Sequence, residues 1–299
     1  MPTQPFAMPG RDLDLADPAV VAKLLRETAQ ANRDDPARHG STAHVDPPGR
    51  LLMTGDLHDN TRSLQRVTKL AKLGKAKTNR LVLHEIVHGP SRLNDMDLSI
   101  RTLARACSVK LAYPEQVYML LSNHELAQRR QEHVFKDGGS DVDAFNAGLD
   151  HLFGEEAEEV HAAFDAYVDS LLLAVKCGNG VLCAHSLPSP RKVEVFDPEV
   201  LGRELTEEDY AGPDGSAYLM VWGRHQTKKV AAELAQAWGV ETFLLGHQPA
   251  DMGWEEKAHN IIVLASDHEH ACALPVDLSE SIDRDELTQH IVPLGAVRV

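Results

Sequence analysis

The sequence predicts an α/β protein with mixed strand pairing and flanking helices. Short apolar runs of about four residues, the length of buried strands, recur along the chain and break directly into polar loops. Between them lie segments with apolar residues at helical spacing, the strand–helix alternation of α/β folds. Near the end, "NIIVLAS" and "ACALPVDL" read as late antiparallel strands, which makes the sheets mixed.

The elements follow in order. Residues 1 to about 14 read as a loose arm. Asp17-Pro18 starts a helix, because an acidic cap followed by proline is a start signal, and Val20, Val21, Leu24 and Leu25 form its apolar stripe. Residues 33–49, "RDDPARHGSTAHVDPPG", are polar and rich in proline and glycine and read as a linker. A strand at 51–54 breaks at Gly55, and a helix runs from about 61 to 73. A strand at 81–85 and a helix near 95–109 come next, and "QVYMLLSNHEL" is again strand then loop. Residues 126–174 are mostly helical, interrupted by "KDGGSD", and "NGVLCAHSLP" and "VETFLLGHQPAD" are strands that run into loops. The expected organisation is an arm, helix and linker over 1–48, then a main domain over 49–299 with a helical insert at about 126–174.

Composition bounds the function. The chain has 299 residues, 43% of them hydrophobic, and a formal net charge of -15. That is long enough to bury a substantial core. The acidic balance argues against nucleic acid and anionic membranes as partners but leaves small phosphorylated substrates open. Cys107, Cys177, Cys183 and Cys272 form no C-x-x-C pair and read as reduced interior residues. The N-terminus lacks a basic and an apolar region, and no apolar stretch reaches the ~18 residues of a spanning helix, so a cytoplasmic location is expected.

The segment "HEIVHG" at 84–89 matches the zinc-protease pattern H-E-x-x-H, which works only on a helix. The local signals oppose a helix. An apolar run precedes it and Gly89-Pro90 follows it, so a strand ending near 85 and entering a loop is the better reading. Five such strand ends carry metal-ligand residue types: Asp56 and His58; His84, Glu85 and His88; Asn123, His124 and Glu125; His185; and His247. In open α/β sheets functional groups gather beyond the carboxyl ends of strands. Imidazole and carboxylate together suit zinc, iron or manganese, and one bridging carboxylate would hold a pair of ions for phosphoryl transfer to water.

"GDLHDN", a carboxylate-ended strand, "SNHE", "LCAHSLP" and "LLGHQ", in that order, resemble the calcineurin-like metallophosphoesterases, and within them the serine/threonine protein phosphatase group and its bacterial relatives. The likeness covers about residues 49 to 275. It implies a four-layer α-β-β-α sandwich with mixed sheets, two transition metals (manganese, iron or zinc) and attack on a phosphate ester by a metal-bound hydroxide. It implies that Asp56 and His58 bind the first metal, that Asn123, His185 and His247 bind the second, and that Glu85 bridges. Asp56 could bridge as well. His124 matches the general acid, and Arg224 matches a phosphate-binding arginine.

The departures lie in the second motif. Glu85 is one methylene longer than the family's aspartate, His88 stands where a carboxylate orients the catalytic histidine, and Gly89 stands where an arginine holds phosphate. His84 replaces a glycine and is expected to point away from the site or sit at its edge. Glu125 reads as structural, His268 and His270 as loop residues that could line the cleft, and His133, His151 and His161 as solvated. Two readings compete with an active phosphoesterase: a binding or regulatory protein on a weakened scaffold, and, more distantly, the zinc protease.

Overall fold

The strands form where large apolar side chains alternate between two buried faces. In Arg50–Thr54, Leu51 and Met53 enter one core and Leu52 the other. In Thr242–Leu245, Leu244 joins the first core, while Phe243 and Leu245 join the second. The chain is seen in a computed structural model, which describes residues 8–10, 12–90, 92–132, 135–136, 139–281 and 284–299.

Two main sheets result. One has seven strands in the order Arg38–His39, Thr42–Val45, Ala174–Cys177, Val181–Ala184, Thr242–Leu245, Ile261–Leu264 and Trp254–Lys257. The other has five: Val292–Pro293, Cys272–Asp277, Arg50–Thr54, Asn79–Leu83 and Val117–Met119. Both are mixed. Val181–Ala184 runs parallel to Thr242–Leu245 and antiparallel to Ala174–Cys177, and Arg50–Thr54 runs parallel to Asn79–Leu83 and antiparallel to Cys272–Asp277. The smaller core joins Leu51, Met53 and Val82 of one sheet to Val175, Cys183 and Leu244 of the other, so the sheets stack on it. The larger core packs the outer faces under helices through Leu64, Leu103, Phe164 and Leu234. The layers are helix, sheet, sheet, helix, the architecture that the resemblance implied.

The sheets also touch directly through two isolated bridges, Asp56↔Ala265 and Leu120↔Leu172, the first just past the carboxyl ends of Arg50–Thr54 and Ile261–Leu264. This joint brings strand ends of both sheets to one place.

Several elements differ from the sequence reading. The expected linker holds two strands, Arg38–His39 and Thr42–Val45, the latter parallel to Ala174–Cys177. Thr42, Ala43 and Val45 are buried while His44 is exposed, so a four-residue strand was hidden in a polar window. The "KDGGSD" interruption contains a small hairpin, Phe135–Lys136 with Gly139–Ser140, before the helices Asp141–Phe153 and Ala157–Val168. The helix expected near 95–109 is Ile100–Ala112, and the two late strands fall in different sheets, Ile261–Leu264 running parallel to Thr242–Leu245 and antiparallel to Trp254–Lys257. His133 lies outside the described residues; His151 is exposed and His161 half-buried. No helix among the described residues is long and apolar enough to cross a membrane.

The helix Pro18–Arg33, capped by the Asp17 carboxylate on the N–H groups of Ala19 and Val20, packs against Ile100–Ala112 and Ala157–Val168. Just after it, the buried Asp35 carboxylate accepts from Lys110 Nζ at 3.0 Å. Both groups have left water, so removing one strands the other charge. Asp35→Ala is expected to destabilise the fold by about 3–5 kcal/mol. Adding Lys110→Met should recover most of that loss, measured by denaturant unfolding of the single and double variants.

Candidate metal centre

Five strand ends from the two sheets supply the site. Arg50–Thr54 leads to Asp56 and His58, Asn79–Leu83 to His84, Glu85 and His88, and Val117–Met119 to Asn123 and His124; Val181–Ala184 leads to His185 and Thr242–Leu245 to His247. The segment 84–88 is loop, as its flanks predicted, so the H-E-x-x-H string has no helix on which to act as a zinc-protease motif. His58, Glu85, His88 and His247 hold φ of 39, 50, 60 and 65°, a left-handed backbone that costs side chains of this kind ~1–3 kcal/mol each and that clusters at functional sites.

Glu85 sits at the centre and is 1% exposed. Its Oε1 lies 3.8 Å from His58 Nε2 and 3.6 Å from His124 Nε2, and its Oε2 lies 3.0 Å from His185 Nε2. His185 Nε2 is also 2.8 Å from Asn123 Oδ1. Glu85 Oε2 is buried and has no hydrogen-bond partner. Asp56 accepts the backbone N–H of His247 on both oxygens, at 2.9 and 3.0 Å, and its Oδ1 is 3.4 Å from His84 Nδ1. The loop carrying Glu85 is held from below, because Glu125 Oε1 accepts the N–H groups of Ile86 at 2.7 Å and Val87 at 3.2 Å. Glu125 therefore has the structural part expected of it.

Burial sets the electrostatics. It raises Asp56 to about 6 and Glu125 to about 7, and with Asp56 and Glu125 nearby it holds Glu85 well above the carboxylate range. It lowers His84 to about 4 and His88 and His247 to about 3, and holds His185 well below its ordinary value. Without a cation the pocket disfavours its own charges. A cation reverses the preference of the carboxylates, and neutral imidazoles are the form that ligates. The unpartnered Glu85 oxygen beside an amide oxygen and a ring nitrogen is a donor set that fits a transition metal.

A cleft of about 540 Å³ opens over these groups, lined by Asp56, His58, Asn123, His124, Arg224 and His247, with Trp222 and His268 at its walls. Arg224 Nε donates to His247 Nε2 at 2.9 Å. All the ligand and catalytic positions implied by the resemblance thus meet in one place: Asp56, His58, Glu85, Asn123, His124, His185, His247 and Arg224.

The yeast protein serine/threonine phosphatase structure from Saccharomyces cerevisiae superposes on 92% of this chain and 88% of its own with a TM-score of 0.64, at 13% identity. The chain has the fold of a serine/threonine protein phosphatase. A cold-active protein-tyrosine phosphatase from a Shewanella species shares that phosphatase fold over 78% of this chain and 77% of its own, with a TM-score of 0.54 and 12% identity. By sequence, the chain is 24% identical over 234 residues to a serine/threonine-protein phosphatase of Caenorhabditis elegans. The match covers 72% of this chain and 46% of that relative, so the chain spans about half the relative's length. No family model matches.

On this phosphatase fold, three residues behave otherwise than the sequence reading expected or escaped it. His84 does not point away. It is 1% exposed, and its Nδ1 is 3.0 Å from His185 Nδ1. Asp141, from the helical insert, places Oδ2 3.6 Å from His124 Nδ1, and Gln128 meets His88. His84 is admitted because Gly246 has no side chain: a Cβ there would lie 2.3 Å from Asp56 Oδ1 and 2.4 Å from His84 Cε1. Gly89 has a similar reason, since a Cβ there would meet Asp59 Cβ at 2.3 Å, leaving no room for an arginine. Gly246→Ala should displace both side chains and cost about 1–3 kcal/mol through overpacking. Gly295→Ala, with nothing within 4 Å, is the control and should leave the unfolding midpoint unchanged in the same denaturation series.

Proposed function

We propose that this chain is a dinuclear metal-dependent phosphatase that hydrolyses phosphate esters, on a phosphoprotein or a small molecule. One observation carries the reading: the two oxygens of the buried Glu85 face two different donor groups, His58 on one side and His185 with Asn123 on the other. Asp56, His58 and Glu85 would hold one ion, and Glu85, Asn123, His185 and His247 the other; manganese, iron and zinc all suit these donors. When bound, such ions neutralise charge developing on the phosphoryl group and lower the pKa of water.

The remaining chemistry belongs to side chains. His124 donates a proton to the leaving-group oxygen from Nε2, on the Glu85 side of its ring, and acts as the imidazolium with protons on both nitrogens. Arg224 orients the phosphoryl group as a planar, always charged donor. Its bond to His247 Nε2 occupies the lone pair that ligation would use, so Arg224 turns to substrate when His247 turns to metal. Gly89 cannot give way to the family's second arginine, which leaves phosphate recognition in the cleft to Arg224.

The weakened-scaffold alternative rested on the lost residues at positions 88 and 89, the first of them the carboxylate that orients the His124 ring. The Asp141 carboxylate, 3.6 Å from the same ring, argues for an active site. Metal analysis together with a panel of aryl and alkyl phosphates tests the reading, with two ions per chain and turnover expected. His124→Asn should lower turnover of alkyl phosphates by ~10²–10⁴-fold and that of nitrophenyl phosphate by less, with metal content unchanged. Equal losses on good and poor leaving groups would remove His124 from the acid role.

A further inference from the structure

The two histidines of "HEIVH" share one arrangement. Each places Nδ1 against the Nδ1 of a histidine in the cleft: His84 against His185 at 3.0 Å, and His88 against His124 at 2.9 Å. Each has its Nε2 tied to an oxygen: His84 to the Thr54 carbonyl at 3.0 Å, and His88 to Gln128 Oε1 at 3.0 Å. Two facing ring nitrogens hydrogen-bond only if one carries the proton, and the oxygen at the far end of each pair decides which.

For His84 the decision is direct. A backbone carbonyl only accepts, so Nε2 carries the proton and Nδ1 is a bare acceptor. His185 must then hold its own proton on Nδ1 and present a bare Nε2. That nitrogen faces Asn123 Oδ1 and Glu85 Oε2, so with Glu85 ionised three lone-pair atoms converge. For His88 the decision travels along amides. Gln131 Nε2 donates to the Gln128 carbonyl, which fixes the Gln131 amide. Its Oε1 takes the Asn146 amide N–H, and Asn146 Oδ1 takes that of Gln128. Gln128 Oε1 is left to accept from His88 Nε2. His124 then holds its resting proton on Nδ1 and turns toward Glu85 Oε1 the Nε2 that takes up the second proton, the one passed to the leaving group.

We infer that His84 and His88 are positioning residues that set the tautomers of His185 and His124, so that each presents Nε2 to the cleft. The glycine and carboxylate of the family motif are replaced here by two carbonyl- or amide-anchored imidazoles, and Asp141 supplies the negative charge beside His124. The inference rests on the roles of His185 and His124 proposed above, but its first measurement needs neither metal nor turnover.

Nitrogen-15 NMR of histidine-labelled, metal-free protein reads the tautomers, each ring assigned by its absence in the matching His→Gln variant. Protons are expected on Nε2 of His84 and His88 and on Nδ1 of His185 and His124. A second measurement is manganese(II) titration of two variants. A glutamine at 84 can donate to Thr54 and accept from His185, so His84→Gln should keep the affinity within a few-fold. His84→Ala should lower it ~10–100-fold, the usual cost of losing a ligand's hydrogen-bond partner, with the number of ions unchanged. A proton on Nδ1 of His84 would overturn the inference. So would His84→Gln losing an ion as completely as His84→Ala, the pattern of a direct ligand. Should a variant fail to fold, its ring is assigned in the wild type through correlations from the backbone to the side chain, and the wild-type tautomers decide alone. Expected tautomers in a chain that binds no metal and turns over no phosphate ester would leave the positioning geometry standing and sink the phosphatase reading instead.

Discussion

A buried carboxylate with no donor for one of its oxygens constrains this whole structure. Glu85 Oε2 is shut away from water beside a ring nitrogen and an amide oxygen. An uncompensated group of this kind costs several kcal/mol, and folded chains keep one only when something pays for it. The surroundings are built to hold it there. Glu125 fastens the following loop through two backbone N–H groups, and the Leu57 and His58 N–H groups close on the Glu85 carbonyl at 2.9 and 2.8 Å. The left-handed backbone at Glu85 is fixed from both sides.

The fold explains why the groups arrive together. Strands of two different sheets end at one joint, and the core between the sheets keeps their register. Asp56 lies at a bridge between the sheets, and its carboxylate accepts the N–H of His247, from a strand end of the other sheet. The helical insert then closes one wall, bringing Gln128 to His88 and Asp141 to His124. Motif positions 88 and 89 differ from the phosphatase pattern, and both differences have local partners: an imidazole anchored on Gln128, and a glycine pressed on Asp59.

Much of this was legible in the sequence, and the reason is local. A buried strand must be apolar and its end must be polar, so Asp56, His58, Asn123, His185 and His247 mark themselves by position alone. The loop state of "HEIVH" was legible too, because Gly89-Pro90 cannot continue a helix. What was not legible depended on distant partners. Residues 42–45 become a strand only because Ala174–Cys177 lies beside them. Asp141 stands 17 positions past His124, in a glycine-rich stretch with no pattern of its own. His84 was expected to point away from the site or sit at its edge because its motif position belongs to glycine. The space for it comes from Gly246, just past the end of a strand of the other sheet.

The central claim is that Glu85 is a metal bridge, and Glu85→Gln with metal content measured per chain tests it most directly. An amide keeps the size and the burial but cannot offer two anionic oxygens. The account predicts that the variant folds, loses metal at both positions and loses phosphoesterase turnover with it. A folded Glu85→Gln protein that retains its full metal complement would contradict the account, because the ions would then be held without the residue around which the site is built.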